Sequence, residues 1–148
     1  MTIGRRTAMK HRIDRIVIHC SATKSTQDYS FEQLERDHRL RGFRECGYNF
    51  YVRKDGSVHE GRNVGDELAH ATGYNRNSIA ICYEGGLNEM GMACDTRTDE
   101  QKDTLLTMVR FFHALYSGAE VLGHNDLPMV NKDCPCFDVK KEYELWVQ

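Results

Sequence analysis

Arg15-Ile16-Val17-Ile18-His19-Cys20 decides the fold of this 148-residue chain. Ile16, Val17 and Ile18 are consecutive β-branched residues, so the segment is apolar on both faces. It reads as a strand buried on both sides rather than one that turns a face to water. Small polar residues follow, Ser21-Ala22-Thr23, and a buried strand opening into a polar loop is a common position for a functional site. Two further runs share this character. One is Ser78-Ile79-Ala80-Ile81-Cys82-Tyr83, ended by Glu84-Gly85-Gly86; the other is Glu120-Val121-Leu122-Gly123, with His124 at its end.

Helical and hairpin signals lie between these runs. Ser30-Phe31-Glu32-Gln33 matches a capping box and predicts a helix to about Arg41, stopped by Gly42. Tyr48–Val52 reads as a strand, Lys54-Asp55-Gly56-Ser57 as a hairpin turn, and Val58–Gly61 as the return strand. Gly85-Gly86 reads as a turn and residues 87–97 as a loop. Thr98-Asp99-Glu100-Gln101 is a second capping box. Leu105, Val109, Phe112 and Tyr116 follow at helical spacing, so a long amphipathic helix packs on the sheet. Asp138 caps a last helix expected to run through Trp146, with Tyr143 and Trp146 on one face. The fold class is therefore α/β: a single domain with a central mixed β-sheet covered by α-helices. Residues 1–12 read as a flexible basic arm ahead of a domain spanning 13–148.

Composition narrows the function. The length leaves room for one domain, and its core is large enough to fold without staples. With 40% hydrophobic and 28% charged residues, only 2 Pro and 12 Gly, the chain is not disordered, collagenous or a coiled coil. No apolar run approaches the 18 residues of a transmembrane helix, so no membrane partner is expected. The 20 basic and 22 acidic residues give a net charge of −2, which is not the balance of a protein that coats nucleic acid. Arg5, Arg6, Lys10, Arg12, Arg15 and Lys24 outnumber Asp14 near the start, as a solvated basic arm or a weak contact with an anionic polymer. The start lacks the apolar stretch of a secretory signal, so synthesis in the cytoplasm without a signal peptide is expected. The six cysteines then read as free thiols or metal ligands rather than disulfides.

His19 and His124 each end a buried strand. Cys134 lies ten residues past His124, in a loop held by Pro128 and Pro135. If the two strands are neighbours, both imidazoles emerge at one end of the sheet and the loop can fold Cys134 back to them. Two imidazole nitrogens at about 2.0–2.1 Å and a thiolate at about 2.3 Å make a zinc shell, and three protein ligands with an open fourth position is the catalytic pattern. Cys136 competes for the sulfur role. The plain alternative is that both histidines are merely hydrogen-bonded strand ends. His11, His38, His59 and His113 read as solvent-face, helix-face or hairpin-edge residues. Cys20 and Cys82 read as small core residues.

In order along the chain stand Ile18-His19-Cys20-Ser21-Ala22-Thr23, Gly47-Tyr48-Asn49-Phe50, Asp55-Gly56, Glu60-Gly61-Arg62, Ala69-His70-Ala71, Gly73-Tyr74-Asn75, Asn77-Ser78-Ile79, Gly85-Gly86, Gly123-His124 and Lys132-Asp133-Cys134-Pro135. This set resembles the zinc-dependent N-acetylmuramoyl-L-alanine amidases, the type 2 amidase and peptidoglycan recognition protein superfamily. It looks closest to the short phage amidases called lysozymes, and the match runs from about Arg15 to Asp138.

The resemblance implies a fold like that of the peptidoglycan recognition proteins and zinc held by His19, His124 and Cys134. It also implies Tyr48 and Lys132 as catalytic residues and His70 as a substrate contact. The implied reaction is hydrolysis of the amide between N-acetylmuramic acid and L-alanine in peptidoglycan, with loops 24–30, 63–77 and 87–97 as walls of the groove. Action on the cell wall would follow release or secretion from the cytoplasm. Two alternatives stand beside it: a non-catalytic peptidoglycan-binding module, and an amidase with a second role inhibiting host RNA polymerase through a protein contact. Taken without the resemblance, Tyr48 can be a strand residue packing on the sheet and Lys132 a solvated loop lysine.

Overall fold

The computed structural model describes residues 12–147. The expected arm, and His11 with it, lies outside the described residues except for exposed Arg12. Seven strands and three helices follow in the order β1 (Arg15–Cys20), β2 (Thr23–Lys24), α1 (Phe31–Leu40), β3 (Phe50–Val52), β4 (Val58–Glu60), β5 (Ser78–Tyr83), β6 (Gly86–Leu87), α2 (Asp99–Leu115), β7 (Glu120–Gly123) and α3 (Val139–Tyr143). The main sheet has the order β4-β3-β5-β1-β7. β3, β5, β1 and β7 are parallel, and β4 joins antiparallel through the Asp55-Gly56 hairpin. This is the expected mixed sheet in an α/β domain.

Alternation along the strands sends side chains to two faces. Ile16 and Ile18 of β1, Ile79 and Ile81 of β5, Val52 and Val121 pack with Leu105, Val109 and Phe112 of α2 in one core. On the opposite face Tyr51 and Cys82 pack with Leu34 of α1, while Val17 and Leu122 meet Ala71 and Leu127. Both long helices carry the capping boxes read from the sequence: Ser30 accepts from the Gln33 amide and Thr98 from the Gln101 amide. Arg41 is the C-cap of α1, and Gly42 follows with φ +97°.

Three boundaries differ from expectation. β3 begins at Phe50, not Tyr48: the Asn49 backbone still bonds to the Ala80 carbonyl and the Gly61 amide, but the Ala80 amide is taken by the Asn49 side chain. Its Oδ1 accepts from the Ala80 amide at 2.8 Å, and its Nδ2 donates to the Arg62 and Asn63 carbonyls at 3.0 and 3.1 Å. Gly86 is not simply a turn: Gly86–Leu87 pairs in parallel with Thr23–Lys24 as a separate two-stranded sheet. The last helix stops at Tyr143 rather than Trp146. Asp138 caps it through the Lys141 amide, but Leu145 is 77% exposed, so no apolar face continues to hold a helix there.

Candidate active site

Strand register brings the two histidines together. β1 and β7 are parallel with Ile18 opposite Gly123, so the next residues, His19 and His124, are neighbours at one end of the sheet. Their ring centroids are 4.5 Å apart and both side chains are buried. Gly123 is required at the turn: a Cβ there would lie 2.8 Å from Pro135 Cδ, so the approach of the cysteine loop demands a residue without one.

Hydrogen bonds return that loop to the sheet. Tyr83 Oη donates to the Pro135 carbonyl at 2.6 Å, and the Asn125 amide donates to the Cys134 carbonyl at 2.9 Å. Buried Arg97 binds Asp95 and Glu142 and stacks on Phe137, with Cζ 3.4 Å from the ring centroid. Cys134 Sγ then sits 3.9 Å from His19 Nδ1 and accepts from the Cys20 amide at 3.2 Å. One ligand atom each from His19, His124 and Cys134 lies within 4.8 Å of the others, and among the described residues this is the one such group of three. Cys136 faces elsewhere: its Sγ lies 3.3 Å from the Gly86 carbonyl and 4.0 Å from Cys20 Sγ.

The other predicted residues surround this cluster. The Tyr48 ring lies 5.0 Å from the His19 ring. Its position depends on Gly47, where a Cβ would meet the Ala69 carbonyl oxygen at 2.0 Å. His70 Nδ1 lies 2.8 Å from His19 Nε2, and His70 Nε2 lies 2.8 Å from the Tyr74 carbonyl. His70, His124 and exposed Lys132 line a groove of about 510 Å³ whose walls are residues 69–72, Asn75 and residues 128–132, with Arg41 and Phe43 contributing. Of the expected wall loops, 63–77 is borne out in part. Loops 24–30 and 87–97 contribute no residue to this groove; Ala93 and Cys94 line a separate recess beyond Lys132.

The electrostatics keep the rings available as donors of electron pairs. Burial, then the neighbouring His70 and His124, holds His19 well below its usual value. Burial and the Lys132 charge lower His124, and burial takes His70 down to about 4. All three are neutral at pH 7. Burial, with the Cys82 and Cys134 sulfurs nearby, pushes the Tyr48 phenol well up, so it stays protonated and can donate a hydrogen bond.

Two histidines and a thiol at the end of a parallel sheet, opening on a groove, can hold one metal ion and expose it to a ligand from outside. The profile of the N-acetylmuramoyl-L-alanine amidase family matches residues 9–137. The chain belongs to that family. It is 37% identical over 134 residues to the endolysin of Escherichia phage T7, covering 88% of this chain and 85% of that protein. It is 33% identical over 135 residues to the endolysin of Klebsiella phage KP32, covering 91% and 88%. Among solved structures, the N-acetylmuramoyl-L-alanine amidase LysC from Clostridium intestinale superposes with a TM-score of 0.78 at 26% identity, over 95% of this chain and 90% of that one. Drosophila PGRP-LB shares the fold, with a TM-score of 0.73 at 22% identity over 93% and 83%. The chain is an enzyme, a peptidoglycan amidase.

Sequence reasoning missed two supports of the amidase site. His38, read only as a helix-face residue, is buried beside the site: Nδ1 accepts from the Gly47 amide at 2.9 Å, and the ring packs 5.3 Å from Tyr48. The signal was present, since His38 follows Leu34 by four residues, on the same helix face. Asn49 ties the strand entrance to Ala80, Arg62 and Asn63 through its side chain, and a polar residue at that position was the hint.

Proposed function

We propose that the amidase works with a zinc ion held by His19, His124 and Cys134, and that Tyr48 and Lys132 assist the reaction. The donor set carries this reading. Two neutral imidazoles and a sulfur are the ligand types of catalytic zinc, and three of them leave a position for water or substrate. Zinc bond lengths imply an N-to-S separation of about 3.6 Å in a tetrahedral shell, close to the 3.9 Å between His19 Nδ1 and Cys134 Sγ. The Cys20 amide donates to Cys134 Sγ and holds that sulfur beside the two rings.

Bound zinc supplies a Lewis acid and acidifies water toward neutral pH. The chain's own groups do the rest. The groove binds the peptidoglycan strand so that the carbonyl of the muramic acid side chain faces the ligand cluster. As water adds to that carbon, negative charge grows on the carbonyl oxygen. The protonated Tyr48 phenol and the Lys132 ammonium are the donors on hand to stabilise it, each by about 10²–10³ in rate for a well-aimed group. Cleavage of the C–N bond releases the amine of L-alanine, which takes up a proton, and leaves a carboxylic acid on the sugar. Substrate is met at the cell wall, where phage endolysins act.

Digestion of purified cell walls, with metal analysis of the same preparation, tests this. The expected result is about one zinc per chain and peptides with a free N-terminal alanine. New sugar reducing ends without free alanine would contradict the reaction, and full activity in a protein free of metal would contradict the zinc.

A further inference from the structure

We infer that His70 is a positioning residue for the metal ligand His19, setting its tautomer, rather than a contact for substrate. The inference rests on the zinc reading above and is carried by the direction of two hydrogen bonds. The Tyr74 carbonyl can only accept, so the proton between it and His70, at 2.8 Å, must sit on His70 Nε2. A neutral imidazole has one N–H, so His70 Nδ1 is bare and can only accept. The 2.8 Å contact from His70 Nδ1 to His19 Nε2 is therefore a bond that His19 donates. With its proton on Nε2, His19 has its lone pair on Nδ1, the atom 3.9 Å from Cys134 Sγ. A backbone carbonyl thus dictates, through two rings, which nitrogen of His19 is free for a metal.

The loop that carries His70 is braced without any metal. The Asn75 side chain accepts from the His70 and Ala71 amides at 2.8 and 3.0 Å, and Ser78 Oγ donates to the Tyr74 carbonyl at 2.8 Å. The imidazole is presented to His19 at a fixed height and angle, with the two rings edge to face at 5.0 Å. Both ring nitrogens are engaged, so although His70 lies in the groove wall it has no free nitrogen to offer a peptide or sugar. Outer hydrogen bonds of this kind hold ligand histidines in orientation and raise their basicity.

The test reads tautomers and metal affinity, neither of which needs a wall substrate. Nitrogen-15 NMR of histidine-labelled, zinc-loaded protein is expected to show protons on Nε2 of both His19 and His70, with Nδ1 bare on His70 and metal-bound on His19. Chelator competition is expected to show His70→Ala binding zinc about 10–100-fold more weakly, with KM for cell wall little changed. His70→Asn, whose amide oxygen can accept from His19, should recover part of that loss. A proton on His19 Nδ1 would overturn the assignment. So would a His70→Ala protein that binds zinc like the wild type and changes only KM, which would make His70 a substrate contact. If His70→Ala does not fold, the wild-type spectrum alone decides. If the wild type takes up no zinc, the zinc reading falls, while the tautomers of the metal-free protein still decide whether the relay exists.

Discussion

On the α2 side of the sheet, Ile16, Ile18, Ile79, Ile81 and Val121 meet Leu105, Val109 and Phe112 in a close-packed, mainly aliphatic layer that also takes in Cys20, Tyr83 and Tyr143. On the other side the same strands present Val17, His19 and Cys82, covered by Tyr48, His70 and α1. Within β1, Ile16 and Ile18 face the first layer and Val17 and His19 the second. A two-residue period lets one strand anchor the fold and deliver a ligand without conflict. The first face tolerates only volume-conserving change; the second depends on proton positions and donor identity.

Removing the chemical groups of the site should abolish function without unfolding the layer under α2. Cys134→Ser should lose zinc and lower wall cleavage by about 10³-fold or more, while circular dichroism stays native; retained zinc with full activity would break the comparison. Tyr48→Phe removes a donor and keeps the ring, so zinc stays and kcat should fall by about 10²–10³-fold. Lys132→Ala should keep the metal and slow turnover by roughly 10–10²-fold, since an exposed cation is less well aimed than a buried one; an unchanged rate removes Lys132 from the chemistry. Breaking the first face should do the reverse. Leu105→Ala should cost about 2–5 kcal/mol in urea unfolding, with zinc content and activity per folded molecule unchanged.

The smallest effect is a pH dependence at the seam between α1 and Tyr48. Burial lowers His38 to about 4 from an unfolded value of about 6.5. The unfolded chain therefore binds the extra proton between those two pH values. The stability tied to neutral His38 is complete above about pH 6.5 and is lost as pH falls toward 4, by at most about 3 kcal/mol. His38→Gln, which keeps an acceptor for the Gly47 amide, should flatten that part of the unfolding curve. An equally steep curve in the variant would assign the acid sensitivity to other groups.

The sequence made the frame legible where one physical signal dominated. The β-branched runs marked β1 and β5, and the two capping boxes marked α1 and α2. His19 and His124 could be paired because each followed an apolar run, and the resemblance then narrowed the sulfur to Cys134. Failures came where a tertiary contact replaced a local rule. Asn49 takes the Ala80 amide with its side chain rather than its backbone, and β3 starts two residues late, at Phe50. Gly86–Leu87 pairs with a distant dipeptide that carries no strand pattern. His38 was read only as a helix-face residue, although the Gly47 amide needed an acceptor. The groove walls were misjudged in part because which loops converge depends on strand order, with β7 beside β1, and no local pattern records that order.

X-ray absorption at the zinc edge of the purified amidase tests the central claim most directly. The account predicts two nitrogen scatterers at about 2.0–2.1 Å from His19 and His124, one sulfur at about 2.3 Å from Cys134, and one light atom from solvent. Two sulfurs in the shell would bring in Cys20 or Cys136 and close the open position. A shell with no sulfur would place the metal elsewhere in the molecule.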